Sequence, residues 1–153
     1  MRLGEIIQTT HPDVAAERDR RFAREGTTQI VNLSPALGPG AHVGRAPVGT
    51  AVEQPRLTDG RLLDDALPPH RFAWVMSDPG DLPLTPDAAR VLRSLDACVF
   101  LDTGLAPWLH TLGARGALIR PDRYLGALAT TADEVAAWPV ASWGMRLDDA
   151  VNT

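Results

Sequence analysis

In the second half of the chain, apolar and polar positions fall into blocks that read as short strands and helices. Phe72 to Met76 is an apolar run of strand length, and Ser77-Asp78-Pro79-Gly80-Asp81 follows as a turn. Thr85 precedes Pro86, a capping hydroxyl before a proline at the first helical position, which predicts a helix to about Leu95. Ala97 to Leu101 predicts a second buried strand, and Leu105 to Leu112 a short helix ended by Gly113. Ala117 to Arg120 and Tyr124 to Leu128 predict a hairpin, because between them Pro121 fixes φ and Asp122 can bond its own backbone. Thr131 with Glu134 three residues on is a capping box for a last helix, which Pro139 kinks or ends.

The order β-α-β-α-β-β-α predicts an α/β domain with a mixed sheet, and it matches the thioredoxin-like fold. Upstream, Pro12 to Glu25 reads as a helix with charge pairs such as Glu17 and Arg21 at i, i+4, and Gly26 ends it. Arg18, Arg20, Arg21 and Arg24 alternate with acids as one solvated face. Thr27 to Pro55 then carries Pro35, Gly38, Pro39, Gly40, Gly44, Pro47 and Gly49 without periodicity. A structureless stretch of that length is unusual inside a domain, so it reads as an arm laid across a partner surface. Arg61 to Leu67 reads as a short connection. The expected organisation is therefore an N-terminal helical segment (1–26), a Pro/Gly-rich linker arm (27–55), a thioredoxin-like domain (56–147) and a tail (148–153).

A length of 153 residues suits one domain with a real core, and 44% hydrophobic with 22% charged residues fits a globular protein. All 15 basic residues are Arg, which reflects codon usage and not function. A formal charge of −4 without a basic run excludes an electrostatic footprint for nucleic acid. No apolar run approaches the roughly 18 residues of a membrane span, and MRLGEIIQTTHPD has no apolar signal core. The expected compartment is the cytoplasm, with no membrane partner. Cys98 stands alone in an apolar run and reads as a buried, reduced thiol.

Few residues offer chemistry. His11, His42, His70 and His110 lack the i, i+4 spacing of a helical metal site. Gly38, Gly40 and Gly44 miss the G-x-G-x-x-G spacing by one place and sit in a Pro-rich loop, not a βαβ unit. Ser77, Asp102 and His110 could be drawn as a triad, but no G-x-S-x-G elbow supports one. The adjacent pairs Asp64-Asp65 and Asp148-Asp149 do not converge. Trp108, Trp138 and Trp143 lie on or near predicted helices and read as core or interface packing. No catalytic, cofactor-binding or metal-ligating residue is assigned. Arg120 and Asp122 are the best polar candidates, either as an interdomain or intersubunit ion pair or as chemistry local to their turn.

Several segments also resemble a known family. ALIRPDRYLGAL (Ala117 to Leu128), with Arg120-Pro121-Asp122 between its strands, resembles the closing motif of the C-terminal domain of FAD-dependent aromatic hydroxylases. That family includes the phenol and hydroxyphenylpropionate hydroxylases. Val48 to Leu67 is similar to the family's approach to this domain, with Gly49, Gln54, Pro55, Asp59, Gly60, Leu62, Leu63 and Asp64 at the matching places. The strand from Phe72 to Met76 also matches, and Ala15 to Asp19 and Leu37-Gly38 fit the helix and loop that join the catalytic domain to this one. The motifs are short, and their order and spacing carry the resemblance over nearly the whole chain.

The resemblance implies a thioredoxin-like domain that packs against a flavin domain and contributes to subunit contacts. It implies FAD and NAD(P)H in the parent enzyme and an FAD-binding monooxygenase domain or subunit, or a second copy of the chain, as partner. The family's Gly-rich dinucleotide fingerprint does not occur here, so no cofactor is expected in this chain. Ser77 to Leu82 stands where redox members of the fold carry Cys-x-x-Cys, and it has no Cys. The expected function is thus a non-catalytic structural, interdomain or oligomerisation domain, with Arg120, Pro121, Asp122, Gln54 and Pro55 as interface or structural motif residues. The alternatives are an independent small enzyme working through His70 or His110, and a self-associating binding module.

Overall fold

The computed structural model describes residues 10–25, 34–40 and 42–139. The chain divides into two compact units, Met1–Leu33 and Ser34–Thr153. The first holds helix α1 (Pro12–Glu25), with Asp13 in its first turn and Arg24 in its last, each placed to complement the helix dipole. Its charges pair along its own surface: Arg18 with Asp19 at 2.7 Å, and Glu17 with Arg20 at 3.1 Å and Arg24 at 3.3 Å.

The second unit contains α2 (Leu63–Ala66), β1 (Ala73–Met76), α3 (Pro86–Ser94), β2 (Cys98–Leu101), a 3-10 turn (Thr103–Leu105), α4 (Ala106–Thr111), β3 (Gly116–Ile119), β4 (Leu125–Ala129) and α5 (Ala132–Ala136). The sheet order is β2-β1-β3-β4. β1 runs parallel to β2 and antiparallel to β3, and β3 and β4 form the hairpin. This is the thioredoxin-like mixed sheet that the order of elements predicts.

Period-two alternation of the central strand builds two cores. Trp74 and Met76 face Ala88, Val91 and Leu92 of α3 and Val135 of α5. Ala73 and Val75 face the opposite way, toward Leu63, Leu105 and the Trp108 and Leu109 of α4. Trp74 is fully buried and meets Trp138 edge-on, with ring centroids 5.6 Å apart. Its room depends on Gly116, because a Cβ there would run into the Trp74 ring. Trp108 and Trp138 are buried, as expected of core residues; Trp143, Asp148-Asp149 and the tail lie outside the described residues.

The helix ends follow from their caps. Thr85 Oγ1 accepts from the Ala88 N–H at 3.3 Å, and Pro86 stands at the first position of α3. Thr131 and Glu134 close the capping box of α5: Thr131 Oγ1 accepts from Glu134 N–H at 3.3 Å, and Glu134 Oε2 accepts from Thr131 N–H at 3.2 Å. A third bond, from Thr130 N–H to Glu134 Oε2, is 2.6 Å. These backbone donors hold the Glu134 carboxyl below its usual pKa.

Two local expectations need correction. Arg61 to Leu67 is not a plain connection, since Leu63–Ala66 forms a helical turn. A four-residue helix shows no periodicity in sequence. The strand Cys98–Leu101 is not buried on both faces: it is the sheet edge, with Val99 52% and Leu101 47% exposed. An apolar run specifies a strand but not its place in the sheet.

Candidate functional site

Residues of two of the resembling segments, Val48 to Leu67 and Ala117 to Leu128, come together at the β4 side of the sheet. The hairpin turn closes through two backbone bonds, Arg120 N–H to Tyr124 O and Arg123 N–H to Arg120 O, both 2.9 Å. Pro121 and Asp122 lie between them. Arg120 and Asp122 pair within this turn, with Nε donating to Oδ1 at 3.1 Å and Nη2 to Oδ2 at 2.9 Å. Two parallel bonds of this kind hold a guanidinium and a carboxylate in one geometry. They hold the Asp122 carboxyl below its ordinary pKa. The stem of Arg120 passes over Gly126, where a Cβ would stand 3.1 Å from Arg120 Cγ.

Arg123 reaches away from the turn to α2. Its backbone is left-handed, with φ 65°. Its Nε lies 3.2 Å from Asp64 Oδ1, and its Nη2 donates to the carbonyls of Leu67 at 3.2 Å and Pro68 at 3.3 Å. A cation on the last carbonyls satisfies acceptors that a helix end leaves open. Gln54 and Pro55 serve the other end of α2. Leu62 makes no side-chain cap there. Gln54 Oε1 instead accepts from Asp64 N–H at 3.2 Å, and Pro55 O accepts from Leu63 N–H at 3.1 Å. One short helix is thus capped at its start by Gln54 and at its finish by Arg123, and Asp64 touches both.

The segment just upstream of Gln54 lies along β4. Val43 N–H donates to Gly126 O and Gly49 N–H to Leu125 O, each at 2.8 Å. Leu125 N–H donates to Thr50 O and Val52 N–H to Arg123 O, each at 2.9 Å. Val48 of this strap is buried against the core below it. Gly49 has φ 89°, and a Cβ there would stand 2.7 Å from His42 Cδ2, so the ring of His42 fills the space a side chain would take. The stretch that composition marks as an arm for a partner therefore covers, over residues 43–52, an edge of its own sheet. The paired residues stand 71 to 83 positions apart in sequence, which no local pattern reveals.

The other candidate groups are engaged elsewhere. Asp102 accepts from Thr58 N–H at 3.0 Å, Thr58 Oγ1 at 2.9 Å and Gly104 N–H at 2.8 Å. Desolvation pushes its carboxyl up, but these donors outweigh it and its pKa lies below the ordinary value. Ser77 Oγ bonds Asp81 Oδ2 at 3.3 Å. Ser77, Asp102 and His110 are thus not joined as a triad. The loop after β1, at the place of a redox motif, is fixed by Asp78 Oδ1 accepting from Gly80 N–H at 2.7 Å and by Arg115 Nη1 donating to Asp81 O at 2.8 Å. Cys98 is half-buried, and burial raises its thiol pKa, which opposes thiolate chemistry. Among the described residues no group of three or more His, Cys, Asp or Glu could hold a metal ion, and no helix is long and apolar enough to cross a membrane.

The residues to which the sequence assigns no interface or structural role, and which the fold makes central, are Arg123 and Asp64. Both stand inside the quoted motifs, and what singles them out is their meeting across the fold.

No protein-family model matches the chain, and no curated protein matches it. Solved structures do. The substrate-free form of the rebeccamycin biosynthetic enzyme RebC is 17% identical, with a TM-score of 0.50 over 86% of this chain and 25% of RebC. RebC with reduced flavin is 15% identical, with a TM-score of 0.51 over 94% of this chain and 29% of RebC. The likeness is one of fold, and this chain spans between a quarter and a third of the length of RebC.

Proposed function

We propose that this chain is a non-catalytic, thioredoxin-like C-terminal domain of, or associated with, an FAD-dependent aromatic-compound monooxygenase. Its role in this reading is structural: it holds an interface to a flavin-binding domain or subunit, or between copies of the chain. The observation that carries the reading is the meeting of two of the resembling segments, Val48 to Leu67 and Ala117 to Leu128. Gln54, Pro55 and Arg123 hold α2, with Asp64 touching both Gln54 and Arg123; Arg123 O also accepts from Val52 of the strap, and Arg120 with Asp122 braces the turn that carries Arg123. A likeness in fold to part of RebC, a protein solved with reduced flavin, supports an association with flavoprotein monooxygenases. In this reading FAD and NAD(P)H belong to the partner domain, and the side chains described above provide packing and not chemistry.

The purified chain is expected to carry no flavin absorbance and to leave NAD(P)H unoxidised in the presence of a phenolic substrate. A stoichiometric flavin spectrum together with substrate-dependent NAD(P)H consumption overturns the proposal.

A further inference from the structure

We draw no further inference here: the strongest candidate, the outer edge of β2 where Val99 and Leu101 stand exposed on one face, is a four-residue strand edge, and nothing in the structure shows what covers it.

Discussion

The two edges of the sheet are treated in opposite ways. At β4 the chain turns back on itself: residues 43–52 supply backbone partners, Val48 supplies an apolar cover, and Arg123 ties the hairpin to α2. At β2 no further strand of the sheet is paired among the described residues, and Val99 and Leu101 stand about half-exposed on it. Strand edges are commonly blunted by charge, proline or a cover. Here the cover is at β4, and backbone bonds from Val43, Gly49, Thr50 and Val52 to the hairpin fasten it. The difference teaches that one edge of this domain is closed by its own chain while the other is left open to its surroundings.

The largest expected effect comes from removing the cover. A chain that starts at Arg56 loses the backbone bonds from residues 43–52 to the hairpin, the burial of Val48 and the Gln54 cap of α2. Burying a Val contributes about 1.5–3 kcal/mol and each net hydrogen bond about 1 kcal/mol. The loss should reach at least about 3 kcal/mol, a large part of a typical domain's roughly 5–15 kcal/mol. Urea unfolding followed by circular dichroism should show a much earlier or a non-cooperative transition. A shortened chain with the full-length midpoint would mean that the strap is an accessory to this edge.

A smaller effect is expected at the far end of β2, where Asp102 fastens Thr58 and Gly104. Its pKa is lowered in the fold, so the stability it contributes is fully present above the unfolded carboxylate value near 4 and is lost as pH falls through the lower folded value. Asp102→Ala should lower the urea midpoint at pH 7, with a constant gap to the parent chain down to about pH 4. The gap should narrow below that. A gap that stays open to about pH 2 would show that the carboxylate charge is not what the three donors stabilise.

The smallest effect belongs to the exposed edge itself. Val99→Lys with Leu101→Lys places charge where side chains already meet water, and the stability should move by no more than about 0.5 kcal/mol. A loss of several times that size would reveal a covering element on β2 and erase the contrast between the edges.

The parts of the fold legible in the sequence are those with short-range causes. Thr85-Pro86, the Thr131–Glu134 box and the Arg120–Asp122 turn each act within four residues, and each stands where its pattern places it. Long-range relations were illegible. Nothing near Gly49 or Thr50 points to Leu125, and nothing near Asp64 points to Arg123. The Pro- and Gly-rich stretch has no side-chain period because its partner is a backbone edge, which accepts almost any sequence. Strand position is hidden for a related reason: Val75 and Val99 look alike in sequence, yet one is sealed in the core on the α4 side of the central strand and the other is more than half exposed. The candidate site was legible as a set of residues, through the family resemblance, while the way those residues connect required the fold.

The central claim is that the resembling motifs form a clasp within one domain. The direct measurement is a double-mutant cycle on Arg123→Ala and Asp64→Ala by urea unfolding at low ionic strength. Arg123→Ala alone should cost about 1–3 kcal/mol, because it also releases the carbonyls of Leu67 and Pro68. The partly exposed ion pair should give a coupling of about 0.2–1 kcal/mol between the two positions, shrinking as salt is added. Strict additivity of the two substitutions at low salt, or single variants as stable as the parent chain, would contradict the clasp.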